Sequence, residues 1–370
     1  MKYWFLIALA LFLTGRSASL SAQTLKAPSP SEWERALENG RKEGQVVVSL
    51  PASAELRKEI EGTFKQRFGI ETEIVTGRGA AIIRRIAEEY KANIHYFDVH
   101  VGGSSSFISG LLSEGVLDAF EPYLVLPEVK DPKHWWGGSM WVDKSNRYIY
   151  ATAAYLTQTM FYNTDGAKAE ELRSYDDFLN PKWKGKIGLL DPRTPGAGDS
   201  NWSYFWMVKG EDYLRKFTAQ KIALSRDQRV LSDILSKGTI TIAVGLSHYA
   251  VLPFLKAGLP VKPMPPMKEG TYGTGGSGNV AVIKNAPHPN AAKLFVNWLL
   301  GKEGQEIFIR AMGQATRRLD VDTRWLKDVG VIAAKDEMTL QQYLKVENQS
   351  EEKLQKQREP AVRFAHKMFD

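Results

Sequence analysis

Between Gln45 and Ser113 the chain alternates short apolar runs rich in β-branched residues with longer amphipathic stretches. Gln45-Val-Val-Val-Ser-Leu50 reads as a buried strand and Ala54 to Phe68 as a helix. Gly69 to Val75 and Phe97 to Val101 read as further strands, each leading to another helix, Ala80 to about Lys91 and Ser104 to Ser113. Parallel strands can be joined only through a crossover, so this alternation dictates parallel β-α-β units, and the N-terminal third is an α/β layer structure. The region is announced by a capping box, Ser31-Glu-Trp-Glu34, opening a helix that Gly44 ends.

Ligands of such sheets gather beyond the carboxyl ends of the strands. Here those ends carry Leu50-Pro-Ala-Ser53, Thr76-Gly-Arg-Gly79 and Gly102-Gly-Ser-Ser-Ser106. Each loop is small and polar and precedes a helix whose first N–H groups lack intrahelical partners. An anion or polar-solute site bordered by Ser53, Arg78, Ser104 and Ser105 is expected.

From about Trp141 a second block follows the same rhythm. Arg147 to Tyr155, Gln158 to Tyr162, Lys182 to Leu190 and Lys237 to Gly245 are strand-like, and the last ends in Leu246-Ser-His-Tyr249. A turn, Asp191-Pro-Arg-Thr-Pro-Gly-Ala-Gly198, leads into a helix-like stretch from Ser200 to Val208. Gly273, Gly275 and Gly278 have the spacing of a dinucleotide loop, but such a loop follows a strand and opens a helix. These glycines are followed by a strand, Asn279 to Lys284, and a helix begins only after Pro287 and Pro289. A nucleotide is therefore not expected. Trp202, Tyr204 and Trp206 are candidates to stack on a planar solute, though their spacing fits a core equally well. The charged tail from about Lys335, with Met338, Leu340, Tyr343 and Leu344 at helical spacing, reads as a packing helix.

The N-terminus sets the compartment. Met1-Lys2, an apolar run from Tyr3 to Leu13 and small residues around Ser19 to Ala22 form a secretory signal, assigned to residues 1–23. The run is shorter than the roughly 20 apolar residues that span a bilayer, so release into the periplasm is expected. The sequence has no cysteine, hence neither disulfides nor a lipid-anchor thiol. With 370 residues, 43% of them hydrophobic, it can bury two cores. The net charge of +7 is scattered among acidic residues and does not form a phosphate-tracking stripe, so no nucleic-acid partner is expected. H-E-x-x-H, G-x-S-x-G and P-loop motifs are missing. Ser247 as nucleophile, with His248 and Asp227 or Asp191, is the one enzymatic arrangement to consider, and the chain is read as a non-enzyme.

Asn180-Pro-Lys-Trp-Lys-Gly-Lys-Ile-Gly188 with Asp191-Pro-Arg-Thr-Pro-Gly196, the segment Gly238 to Tyr249, and Gly276 to Ile283 with Lys293 to Phe308 resemble periplasmic solute-binding proteins of ABC importers. The closest group is the ferric-binding branch of the two-lobed type II fold. The resemblance implies two α/β lobes, each a mixed sheet flanked by helices, joined by two crossing β segments. It implies one lobe from 24–153 plus 271–330, and another from 154–270 plus 331–370. Gly273 to Gly278 would be the return crossing, glycine supplying backbone freedom near a hinge. A monomer that closes on a small solute and docks on an inner-membrane ABC permease is implied.

Laid on this sequence, the family's iron ligands fall at about Ser53, Gly103, His248 and Tyr249, which leaves one phenol where ferric iron needs several anionic oxygens. No metal and no cofactor are expected. The family's anion contacts fall at Thr194, Gly196, Ala197, Gln228 and Ser104, with Ser105 beside them. Arg78 and Arg193 are the charge partners the pattern implies, and an organic anion is the expected solute. The alternatives are a ferric chelate whose organic part supplies the oxygens, and a sensory role in which a receptor reads the closed lobes.

Overall fold

The expected alternation from Gln45 onward forms a five-stranded sheet. Three parallel strands, β1 (Gln45–Leu50), β2 (Glu71–Thr76) and β3 (Val99–Gly102), are joined by the helices Ala54–Phe68 and Gly79–Lys91. The computed structural model describes residues 31–77 and 79–370, so the signal assigned to 1–23 and Arg78 lie outside the described residues. Strand β4 (Tyr150–Ala151) and the much later β12 (Asn279–Val282) complete the sheet in the order β2-β1-β3-β12-β4, with β12 antiparallel to β3. Ser31 caps the helix Glu32–Glu43 in the expected box, and Gly44 closes it at φ 76°. That helix packs on Pro289–Leu300, and its Ala36 shares a core with Val46, Val48, Phe64, Phe295 and Trp298.

The intervening chain builds the second sheet, ordered β10-β6-β9-β7-β8. Here β5 (Tyr155–Thr157) precedes β6 (Met160–Asn163), β7 (Ile187–Leu190), β8 (Ala223–Ser225), β9 (Ile242–Val244) and β10 (Val261–Pro263). Strands β7, β8 and β9 are parallel, and β6 runs against β9. Its core gathers Ile187, Trp202, Phe205, Phe217 and Ile242. The expected strand from Lys237 to Gly245 is shorter than its apolar run, because Gly238 turns the chain at φ 71° before β9 begins.

A third, antiparallel sheet lies at the crossings, with β5 between β11 (Tyr272–Thr274) and β13 (Val331–Ala333). The apolar run 147–155, expected as one strand, is divided: Tyr150 and Ala151 pair in the first sheet, Ala153 bridges Thr316, and Tyr155 begins the crossing sheet. The glycine-rich segment is the return crossing, but its glycines serve mainly close approach. A β-carbon on Gly273 would sit 2.8 Å from the Tyr343 ring, and one on Gly278 would sit 2.5 Å from the Ala153 methyl. Only Gly276 among them adopts a positive φ, 54°, and a side chain there would also collide with the Tyr155 hydroxyl.

The tail, expected with the second lobe, packs into both cores. Leu354 is buried in a core of the first lobe with Ile83, Phe107, Val142 and Ile149. Ala361, Phe364 and Ala365, on the helix Glu359–Phe369, are buried in the core of the second.

Candidate functional site

Two sets of loops meet where the parallel strands of both sheets end. On the first lobe, β1 and β3 lead to the helix starts at Ala54 and Ser104. On the second, β7, β8 and β9 lead to the helices Ala197–Thr218, Gln228–Ser236 and His248–Lys256. Three contacts bring the edges together. Lys256 pairs with Glu55 at 2.8 Å, the His248 ring lies on Gly313, and Tyr249, half-buried, packs against the first core. A cavity of about 390 Å³ also draws on both lobes, with Ile83, Ala87, Ser105, Ser106 and Ser109 on one side and Pro195 on the other.

The second lobe's contribution centres on Gln228. Its Oε1 accepts the Ser247 N–H at 2.6 Å, and its Nε2 donates to the Tyr249 hydroxyl at 3.2 Å. A phenol that accepts there keeps its own proton to donate elsewhere. Burial raises the Tyr249 pKa, against the pull of Gln228 and Ser247, so the group stays a neutral donor. The neighbouring His248 is buried, with Nδ1 unpartnered. Burial pushes its pKa down to about 4, with Glu55 opposing and Lys256 assisting, so the ring is neutral at pH 7. This neutral pair suits hydrogen bonding to a polar solute rather than holding a hard cation.

The loop Asp191–Ala197 differs from expectation. Arg193, expected to face a solute anion, is committed to protein carboxylates. Its Nε and Nη2 donate to the two oxygens of Asp191, each at 2.8 Å, and its Nη1 donates to Asp370 at 2.7 Å. Burial alone would raise the Asp191 pKa, yet hydrogen bonds from Arg193 and Arg226 hold it at about 2. Thr194 Oγ1 donates to the Asp191 carbonyl, and the Gly196 N–H, expected to be free for a solute, donates to Asp199 Oδ1 at 3.1 Å. Ala197 opens its helix, so its own N–H has no intrahelical partner.

On the first lobe Ser53 is an N-cap: its Oγ accepts the Leu56 N–H at 3.2 Å, which is a structural use of the hydroxyl. Ser104 and Ser105 follow Gly103 at the start of a short helix that continues as π turns through Leu112. Both are about 95% buried, and Ser105 lines the cavity. The cavity therefore joins Ser105 to the loop of Thr194 and Gly196, while Gln228, His248 and Tyr249 form a neighbouring group that does not line it. Trp202 lies in the second core, its Nε1 donating to the Ala361 carbonyl at 2.8 Å, and Tyr204 donates to the Glu269 carbonyl. Among the described residues no cluster of three or more His, Cys, Asp or Glu is arranged to hold a metal.

Sequence reasoning missed Asp199 and Arg358. They form a buried ion pair beneath the Gly196 turn, Arg358 Nη2 donating to both Asp199 oxygens at 2.6 and 2.7 Å. The Asp at the third helical position signalled a cap for Gly196, but its arginine is 159 residues away.

Two α/β lobes on crossing strands, with facing loop edges, define a two-lobed binding protein of the type II periplasmic fold. The chain belongs to the bacterial extracellular solute-binding protein family, whose model matches residues 49–306. It is 25% identical over 281 residues to an uncharacterized protein of Haemophilus influenzae, which covers 71% of this chain and 75% of that one. Solved structures share the fold. The periplasmic binding protein AfuA of Actinobacillus pleuropneumoniae, with exogenous fructose 6-phosphate bound, aligns at TM-score 0.64 and 20% identity over 86% of this chain and 97% of its own. Iron-bound HitA of Pseudomonas aeruginosa aligns at 0.63 and 19% over 88% and 99%. The ferric binding protein of Campylobacter jejuni aligns at 0.63 and 16% over 88% and 99%. The family and these neighbours are binding proteins, and no described helix is long and apolar enough to cross a membrane.

Proposed function

We propose that this chain captures a small organic anion between its lobes in the periplasm and delivers it to an inner-membrane ABC permease. The observation that supports this reading most is a set of neutral donors beyond the strand ends of both lobes: Ser105 in the cavity shared with Pro195, with Ser104 beside it, and Gln228 bonded to Tyr249 on the second lobe. Hydroxyl and amide donors hold an oxyanion without a metal, and closure over it is driven by contacts made from both lobes at once. The sugar phosphate in AfuA is a solute of this chemical class.

A ferric chelate is the second reading, favoured by the iron-bound neighbours. In that case the organic part supplies most of the oxygens, because Tyr249 is the one phenol at the expected ligand positions. A thermal-shift screen tests both readings, since a ligand bound to the native state raises Tm by mass action. Fructose 6-phosphate, phosphonates, dicarboxylates and ferric citrate make up the panel. Stabilisation by a metal-free organic anion is the expected result. Stabilisation by ferric citrate alone would replace this reading with the second, and no stabilisation by any of them would overturn both.

A further inference from the structure

The C-terminal segment touches the hinge, both cores and the loop that borders the proposed solute site. Tyr343 packs beside Gly273 of the return crossing, and the Asn348 N–H donates to the Gly273 carbonyl at 2.9 Å. The chain then fastens to the first lobe: the Glu351 N–H donates to the Val142 carbonyl at 2.9 Å, and the Lys144 N–H donates to Glu351 Oε2 at 2.8 Å. Leu354 enters that lobe's core. Roughly one helical turn later, Arg358 has crossed to the second lobe, where it grips both oxygens of Asp199 and donates to the Asn348 carbonyl at 3.3 Å. Phe364 stacks on Trp202 in the second core, and Asp370 completes the path by holding Arg193.

The loop from Arg193 to Asp199 is thereby pinned at both ends by the same segment. Asp370 holds Arg193, and Arg358 orients the carboxylate that receives the Gly196 N–H. A rigid-body movement of the first lobe pulls on Leu354 and Glu351, and the nearest fixed point on the second lobe is Arg358. Arg358 Nη2 holds both oxygens of Asp199 while Nη1 holds the Asn348 carbonyl, so one guanidinium ties the carboxylate under the solute loop to the crossing segment.

We propose that residues 347–370 form a third crossing between the lobes, and that Arg358 is a positioning residue, coupling lobe closure to the geometry of the solute loop through Asp199. The proposal rests on reading 194–197 as a solute loop, but its test uses no solute, so a failed ligand screen would not mask the outcome. The chain has no cysteine, so Glu59→Cys and Lys216→Cys, exposed and on opposite lobes, accept spin labels that report the interlobe distance. Amide exchange at Gly196 reports the loop, with the Leu189 amide of β7 as the internal reference.

Leu354→Ala, in the other lobe's core, is expected to broaden the interlobe distance distribution and speed Gly196 exchange severalfold, leaving Leu189 unchanged. Arg358→Gln is expected to speed Gly196 exchange at least tenfold, and Arg358→Lys, which keeps the charge but has one nitrogen to serve both Asp199 and Asn348, to fall between. Should Arg358→Gln fail to fold, Leu354→Ala carries the test. Wild-type exchange at Gly196 in Leu354→Ala, or equal acceleration at Gly196 and Leu189, would overturn the coupling.

Discussion

The two lobes meet through loops built on opposite plans. On the first lobe, two of the three predicted serines that lie among the described residues, Ser104 and Ser105, keep unengaged hydroxyls, and Ser105 lines a cavity whose wall also carries Arg84, Glu88, Lys91 and Glu114. On the second lobe nearly every polar group is already bonded: Gln228 to Ser247 and Tyr249, Arg193 to Asp191 and Asp370, Gly196 to Asp199, and Asp199 to Arg358. One edge offers free hydroxyls and the other a prearranged network. A preorganised network lowers the ordering cost of binding, and loosely committed hydroxyls adapt to the solute's shape.

The contrast is broken most severely at Arg358. Arg358→Met leaves Asp199 as an uncompensated buried carboxylate, and a loss of about 3–5 kcal/mol in urea unfolding is expected. Ser105→Ala, on the free edge, should leave unfolding unchanged within about 0.5 kcal/mol. Equal losses would erase the distinction between the edges.

Acid sharpens it next. His100, inside the first lobe and bonded to Ser49, has its pKa pushed by burial to about 3, and His248, between the lobes, to about 4. Both folded values lie below the usual 6.5, so the unfolded chain binds the extra protons. Their stabilisation is complete above pH 6.5 and is lost as pH falls from there toward 4 for His248 and toward 3 for His100. A His248→Gln variant should lose less stability than wild type between pH 7 and 4.5, by on the order of 2 kcal/mol. Matching pH profiles from urea melts would remove His248 from the account.

A smaller effect is expected at Gly313, whose φ of 59° and contact with the His248 ring leave no room for a side chain. Gly313→Ala should cost about 1–2 kcal/mol through the backbone alone and raise the radius of gyration by wedging the lobes apart. The smallest belongs to the exposed Lys256–Glu55 pair. Lys256→Ala should change stability by less than about 1 kcal/mol, and salt should remove the difference.

Much of this architecture was legible because it is written locally. The capping box at Ser31, the helix Ala54–Phe68 and the position of β12 after the glycines follow from short-range spacing. The run 147–155 misled because one apolar stretch serves two sheets, and periodicity does not record which neighbour a strand will take. At the site, Gln228 and Tyr249 are each named by the sequence, one as an anion contact and the other at a metal-ligand position, and they are bonded to each other. Arg193 was expected to face a solute although Asp191, two residues before it, takes two of its nitrogens; only its second partner, Asp370, is distant in sequence, and the third crossing escaped because helical spacing at 338–344 says nothing about which core Leu354 enters.

Calorimetric titration with a stabilising anion from the thermal-shift panel, on wild type, Ser105→Ala and Gln228→Ala, tests the clasp most directly. One site per chain is expected, weakened about five- to tenfold by each substitution, since each lobe loses a neutral hydrogen bond to the solute. Binding that responds to one lobe and ignores the other would contradict capture between them.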